Sequence, residues 1–166
     1  MHLLSQVVSP KNSLSPMSNK ILALLEDPKN MQQVSECLEQ SGHCVFRANR
    51  FDAALQILED HRVDLIVSDV HLQNGGDIFD FLVRLHISPL LQNIPFVCFS
   101  FQPTELADYL ATGVQTAARI LGAAGYISMK TFDPEDFASQ INQVLSKKQS
   151  EPCLHPGHPQ ENQLAR

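Results

Sequence analysis

The sequence contains no tryptophan, only two tyrosines and no long hydrophobic run. A membrane-spanning helix needs roughly 18 or more consecutive apolar residues, and no segment of the chain reaches that length. The first ten residues, MHLLSQVVSP, lack the basic segment and the apolar stretch of a signal peptide. We therefore expect a cytoplasmic protein without a membrane partner.

Positive charge is scarce as well, because 12 Lys and Arg side chains stand against 18 Asp and Glu, for a net charge of -6. This acidic balance opposes binding to the phosphate backbone of nucleic acids, so no direct nucleic-acid partner is expected. The four cysteines have no paired spacing of the kind that disulfide frameworks or zinc sites show. Unpaired cysteines fit a reducing compartment.

The composition divides the chain into a domain and two tails. With 166 residues, 43% of them hydrophobic, the chain is long enough for one globular domain. Residues 1–19 are rich in Ser, Pro and Asn, and residues 149–166 contain three prolines and few apolar side chains. We expect a flexible N-terminal tail, a domain over residues 20–148 and a disordered C-terminal tail. Potential soft-metal ligands in the second tail have no partner cluster and are interpreted as incidental: Cys153, His155 and His158.

Five short apolar segments alternate with helical patterns along the domain. Continuous apolar runs are typical of strands that are covered on both faces. The helical patterns have clear limits, such as Pro28 and Gly42 for the first and Asp133 with Pro134 for the start of the last. This alternation predicts an α/β fold with a doubly wound parallel sheet and helices on both faces. The predicted strands are residues 20–26, 43–48, 63–68, 93–100 and 125–129.

Acidic side chains follow two of these strands. Glu26 closes the first predicted strand and Asp27 follows it, and Asp69 comes directly after the third, in VDLIVSD. In a doubly wound sheet the carboxyl ends of these strands meet at one crevice, where a hard cation such as Mg²⁺ would relieve the repulsion among the carboxylates. Alternatively, Asp27 caps the helix that begins at Pro28 and Asp69 is an ordinary loop residue.

These features resemble the receiver domain of two-component response regulators, over residues 20 to about 148. The resemblance lies in the acidic pair Glu26-Asp27, the segment DLIVSD ending at Asp69, Ser100 at the end of PFVCFS, and Tyr126 in GAAGY. It implies a five-stranded, flavodoxin-like parallel sheet in the order 2-1-3-4-5.

The resemblance also implies roles for individual residues. Asp69 would be the phosphoacceptor, Asp27 a direct Mg²⁺ ligand, Glu26 a second-shell or water-mediated ligand, and the backbone carbonyl of His71 a further ligand. At the other side of the crevice, Ser100 would move toward the phosphoryl group.

The fifth strand carries the remaining roles and the clearest departure from the family pattern. Tyr126 would be the aromatic residue that follows Ser100 in the switch. Receivers place a phosphate-binding lysine before a proline, three residues after the aromatic position, whereas this chain has Met129 there, then Lys130 and Thr131. A slip of one residue points a strand side chain to the opposite face, so whether Lys130 reaches the phosphoryl group stays open.

The segment between Ser100 and Tyr126 is longer than in typical receivers and predicts an extended or broken fourth helix. Its apolar residues would form a surface for a partner or for a homodimer. The alternative is that the added residues only cover the sheet edge. The residues concerned are Tyr109, Leu110, Val114, Ile120 and Leu121.

Enzyme classes with similar folds fit less well. A flavodoxin would need phosphate-binding donors where EDPKN presents acids, and a haloacid-dehalogenase-type phosphatase would need an Asp where His71 stands. Two hypotheses remain, neither of them an enzyme. The first is a stand-alone phosphorylation switch that receives its phosphoryl group from a sensor histidine kinase or phosphotransfer protein and acts on a downstream protein effector. The second is a receiver-like interaction module that does not turn over phosphate.

Overall fold

The structure, a computed structural model, describes residues 18–70, 77–101 and 104–150. Within these ranges five strands alternate with five helices, as the sequence pattern predicts. The predicted tails lie largely outside the described residues, as do His71, Cys153, His155 and His158. In chain order the elements are β1 (Lys20–Leu24), α1 (Pro28–Gln40), β2 (Cys44–Ala48), α2 (Phe51–Asp60), β3 (Leu65–Asp69), α3 (Ile78–Ile87), β4 (Phe96–Phe101), α4 (Glu105–Ile120), β5 (Gly125–Met129) and α5 (Pro134–Ser150).

The five strands form one parallel sheet in the order β2-β1-β3-β4-β5. This confirms the predicted doubly wound topology and its strand order. The order reverses direction between β1 and β3, and this is the point at which open α/β sheets bind their ligands. A ligand site is therefore expected at the carboxyl edge beside β1 and β3.

Local signals in the sequence set the limits of α1 and the start of α5. Asp27 caps α1 by accepting a hydrogen bond from the Asn30 backbone N–H at 2.8 Å, and Pro28 occupies the first helical position. The helix ends before Gly42, whose φ of 89° is in the left-handed region that favours glycine. Asp133 caps α5 in the same way as Asp27 caps α1, through the backbone N–H groups of its first turn.

Two hydrophobic clusters cover the sheet, one on each face. The α1/α5 face includes Val34 and Phe137, which pack on the odd-numbered strand residues such as Val67. The α2/α3/α4 face includes Phe81 and packs on even-numbered residues such as Ile66. Because strand side chains alternate between faces, odd-numbered strand residues face α1 and α5, and even-numbered ones face α2, α3 and α4.

The fourth helix is long and unbroken, with 16 residues. Its inner side contributes Ala118, with Val114 packed beside it, to the cluster on the α2/α3/α4 face. Several large apolar side chains on its outer side are exposed. Nowhere in the described ranges is there a helix of the length and apolar character needed to cross a membrane.

Candidate functional site

Asp69 is the last residue of β3 and its backbone is fixed by the next strand. It lies opposite Phe99 in the β3–β4 register, and the Val70 N–H donates to the Phe99 carbonyl at 3.1 Å. The side chain of Ser68 is fully buried, and its hydroxyl donates to the Asp69 carbonyl at 3.1 Å. Asp69 itself is half-buried. The carboxylate is therefore presented from a rigid strand end with partial access to solvent.

The acidic pair after β1 lies at the same edge of the sheet. Leu24 is opposite Ser68 in the β1–β3 register, so the chain passes the level of Asp69 just before Glu26 and Asp27. The capping role of Asp27, one of the two alternatives considered from the sequence, is present.

These acids offer the hard oxygen ligands that Mg²⁺ prefers. In the described part of the chain, however, no three His, Cys, Asp or Glu side chains lie together as a metal site. The donor chemistry fits the ion, whereas a three-ligand cluster is not formed by these side chains as they lie. The magnesium site therefore stays a prediction, as does the ligand role of the His71 carbonyl, which falls outside the described residues.

Ser100 and Tyr126 face each other on the α2/α3/α4 side. Tyr126 is opposite Cys98 in the β4–β5 register, and Ser100 is two residues further along the same face. Burial raises the pKa of Tyr126, the hydrogen bond with the Ser100 hydroxyl lowers it, and electrostatic interactions with Cys98, Asp108 and Asp69 raise it further. Burial also raises the pKa of the Cys98 thiol to about 12. The predicted switch pair is thus joined by a hydrogen bond within the electrostatic range of Asp69.

Lys130 pairs with a residue that the sequence did not single out. Its Nζ lies 3.2 Å from Oδ2 of Asp108, in the first turn of α4. Met129 instead packs, 5% exposed, in the cluster on the α1/α5 face. By strand alternation Asp69 belongs to the Met129 side and Lys130 continues the Tyr126 side. The one-residue slip noted in the sequence therefore places methionine where receivers have their phosphate-binding lysine.

A group of phenylalanines lies beside the carboxyl ends of β4 and β5. Phe99 contacts Phe137 and Phe132 edge-on, with ring centroids 5.3 and 6.4 Å apart, and Phe101 contacts Phe132 at 6.2 Å. Since Phe99 is the register partner of Asp69, the α1/α5 side of the site is apolar. Sequence reasoning missed this group, although the alternation of Phe99 and Phe101 placed both on one face.

The chain is similar to known proteins in both sequence and fold. No family model matches the chain. A Pyropia yezoensis protein named "Probable transcriptional regulator ycf29" is 29% identical over 137 residues, covering 79% of this chain and 55% of its own length. The phosphate regulon transcriptional regulatory protein PhoB of Escherichia coli is 28% identical over 131 residues, covering 79% of this chain and 53% of its own. The chain thus spans about half the length of the curated relatives it matches.

Solved structures with a similar fold include a response regulator and a signal receiver domain. The chemotaxis response regulator CheY4 of Vibrio cholerae matches with a TM-score of 0.65 and 24% identity, over 76% of this chain and 98% of that one. A receiver domain of a histidine kinase from Syntrophus aciditrophicus matches with a TM-score of 0.65 and 21% identity, over 83% and 98%. NtrX of Brucella abortus matches with a TM-score of 0.70 and 21% identity, over 80% of this chain and 28% of its own. The chain has the fold of response-regulator receiver domains.

Proposed function

We propose that this receiver domain is a phosphorylation switch in two-component signalling, with Asp69 as its phosphoacceptor. The observation that carries the proposal is the arrangement around Asp69. The carboxylate ends β3 at the switch point of the sheet, within electrostatic range of a tyrosine that is hydrogen-bonded to the buried Ser100. A carboxylate, a hydroxyl and an aromatic side chain on three adjacent strands provide an acceptor and a route from the acceptor to the surface.

In the proposed reaction, an Asp69 carboxylate oxygen attacks the phosphorus of a phosphohistidine donor. An O–P bond forms as the P–N bond breaks, and the donor imidazole leaves with the electron pair. Mg²⁺ held by Glu26, Asp27 and Asp69, together with the His71 carbonyl, would neutralise the negative charge of the incoming group. The Ser100 hydroxyl would then donate to a phosphoryl oxygen.

The proposed switch step is a competition for Ser100. The hydroxyl that now bonds with Tyr126 cannot at the same time turn fully toward Asp69. When the phosphoryl group takes that hydrogen bond, the tyrosine loses a partner and its preferred position shifts. The change would reach α4 because Tyr126 packs in the cluster that includes Ala118 of that helix.

Lys130 gives the proposed switch a second connection to α4. To contact the phosphoryl group, its ammonium group would have to leave the Asp108 carboxylate, 3.2 Å away on α4. The pair is exposed, so breaking it costs little, typically about 0.2–1 kcal/mol. We propose that phosphorylation draws Lys130 from Asp108 and so frees the N-terminal turn of α4.

A second candidate function is favoured by Met129. On the Asp69 side, Met129 presents a thioether where receivers have an ammonium group, and phenylalanines lie beside it. Among the described residues on that side, a phosphoryl group on Asp69 would therefore contact apolar side chains and no cation. The alternative is therefore a receiver-like interaction module that does not turn over phosphate. Under either candidate we expect a binding protein rather than an enzyme.

The partners follow from the proposed chemistry. A sensor histidine kinase or a phosphotransfer protein would supply the phosphoryl group, and a downstream protein would bind the altered α4 surface. We expect the protein and these partners to meet in a reducing compartment such as the cytoplasm. This is supported by the free cysteines of the described residues, which are Cys37, Cys44 and Cys98.

The deciding experiment is incubation of the full chain with Mg²⁺ and a small phosphodonor such as acetyl phosphate, followed by intact-mass measurement. We expect the mass of one added phosphoryl group on the wild type and none on Asp69→Asn. Asp60→Asn, at the exposed end of α2, is the matched control and should be labelled like the wild type. An unlabelled wild type would reject the switch in favour of the interaction module.

A further inference from the structure

The exposed apolar side chains of the described residues concentrate on α4. Seven large hydrophobic side chains are exposed in the described ranges, and four of them belong to this helix. With the exposed Gly113, they form what we call the α4 stripe. Its large members and their exposed fractions are Leu106 at 68%, Tyr109 at 84%, Leu110 at 51% and Ile120 at 79%.

The stripe is arranged symmetrically about Gly113. Leu106 lies seven residues before this glycine and Ile120 seven residues after it, which is two helical turns in each direction. A Cβ atom added to Gly113 would meet nothing within 4 Å, so no contact within the chain requires a glycine here. Glycine weakens a helix interior, and what it provides in return is close approach by another backbone.

We propose that two copies of this chain associate through antiparallel contact of α4 with α4, with the two-fold axis passing through Gly113. In this arrangement Leu106 of one copy meets Ile120 of its partner at each end of the contact. The contact is isologous, which is the usual form of a homodimer interface.

The sizes of the side chains favour the antiparallel direction. One turn before Gly113 the stripe carries the large residues Tyr109 and Leu110. One turn after Gly113 the corresponding positions hold the small residues Thr116 and Ala117. An antiparallel pair sets the large residues of each copy against the small residues of the other, whereas a parallel pair would set large against large. The Thr116 hydroxyl already donates to the Thr112 carbonyl at 2.8 Å, so its side chain can enter an apolar contact with its polar atom satisfied.

The charges beside the stripe favour the same direction. Glu105 is in the first turn of α4 and Arg119 in the last, and both are exposed. Fourteen residues apart, they fall within about 40° of each other around the helix axis, so they flank the stripe on the same side. Antiparallel pairing brings Glu105 of each copy toward Arg119 of the other, whereas parallel pairing would place both Glu105 side chains at one end of the contact and both Arg119 side chains at the other, without an opposite charge at the same level.

The expected dimer is weak. A helix of 16 residues is about 24 Å long, and one such face is smaller than the roughly 800 Å² per partner of a standard interface. Dissociation constants of roughly 1 μM to 1 mM are therefore expected. The pairing does not require phosphorylation of Asp69, so it stands or falls separately from the proposed switch.

A charge exchange tests the proposal by sedimentation equilibrium of the full chain. Wild type should show a reversible monomer–dimer equilibrium. Glu105→Arg and Arg119→Glu should each weaken it by about tenfold or more, because each places two like-charge contacts at the interface. The double variant Glu105→Arg/Arg119→Glu should restore association. A double variant no better than either single variant would overturn the antiparallel contact.

The exchanged charges could also weaken the α4 helix itself. A second pair of variants therefore compares a substitution on the stripe with one on another exposed surface. Ile120→Glu alters the last residue of α4, 79% exposed, and Ile87→Glu alters the last residue of α3, 74% exposed. Only the first should abolish the dimer, with circular dichroism confirming that both remain folded. Equal loss with both variants, or a wild type that stays monomeric because another segment or another protein covers the stripe, would overturn the proposal.

Discussion

Ser100→Ala should destabilise the domain modestly and raise the pKa of Tyr126. Ser100 is 2% exposed and its hydroxyl bonds with Tyr126, so the substitution removes one buried hydrogen bond and leaves almost no cavity. The net loss is about 0.5–1.5 kcal/mol, or a fall in thermal midpoint of roughly 2–6 °C for a domain of this size. Because the Ser100 hydroxyl lowers the pKa of the phenol, its removal leaves the opposing effect of burial uncompensated.

The composition of the chain makes this pKa measurable. There is no tryptophan and there are two tyrosines, so in a Tyr109→Phe background the alkaline ultraviolet difference spectrum reports Tyr126 alone. Ser128→Ala is the matched control, since Ser128 is exposed and is the register partner of Ser100 on the same face. It should leave both the titration and the thermal midpoint unchanged. A titration curve that stays in place or moves to lower pH in Ser100→Ala would refute the hydrogen bond.

The sign of the pH dependence follows from the raised pKa. As pH rises, the unfolded chain releases the phenolic proton before the folded chain does. The contribution of Tyr126 to stability is therefore complete below its unfolded pKa of about 10 and is lost as pH rises through the folded pKa. In Ser100→Ala this loss should extend to higher pH, which denaturant titrations at alkaline pH can detect.

Three further predictions concern the metal, the glycines and the core. Mg²⁺ at about ten times its dissociation constant should stabilise the wild type by about 1.4 kcal/mol. Asp27→Asn, which keeps the cap of α1 but removes a charged ligand, should lose this shift in thermal scans; an equal shift in both would remove Asp27 from the site. Gly113→Ala should stabilise the dilute monomer by roughly 0.5–1 kcal/mol in denaturant titrations. Gly122→Ala should destabilise it, because Gly122 has a φ of 93° and an added Cβ would lie 3.0 Å from His86 Nδ1. If both glycine substitutions changed the free energy of unfolding in the same direction, this account would be contradicted. Phe137→Ala, at a fully buried position, should cost about 3–5 kcal/mol, and a much smaller loss in urea unfolding would show that the phenylalanine group does not carry the α1/α5 face.

Periodicity and capping residues were sufficient to predict most of the fold. The segment GYISM was predicted as the fifth strand with the bounds that the structure has, Gly125–Met129. Other strand limits differed by a few residues, as at β4, predicted from residue 93 and observed from Phe96. Strand ends are set by hydrogen bonds to neighbouring strands, and a single sequence does not display those partners.

At the candidate site, the sequence could address the features that depend on strand alternation. The slip at Met129 raised the question of which face Lys130 occupies, because alternation is a property of the local chain. The sequence could not reveal that Asp108 would pair with Lys130, since that contact depends on how α4 lies over β5. It also led to a wrong emphasis on Val114 and Leu121 as surface residues. Both pack against the core cluster, while Leu106, which was not singled out, is exposed.

Because Cys98 is buried, the labelling of its thiol can report local opening of the sheet. With a thiol pKa of about 12, almost no reactive thiolate is present at neutral pH while β4 is packed. Cys44, at the start of the edge strand β2, is exposed to an alkylating reagent throughout. The rate at which Cys98 is labelled therefore measures how often the centre of the sheet comes apart, and the Cys44 rate is an internal standard in the same molecule.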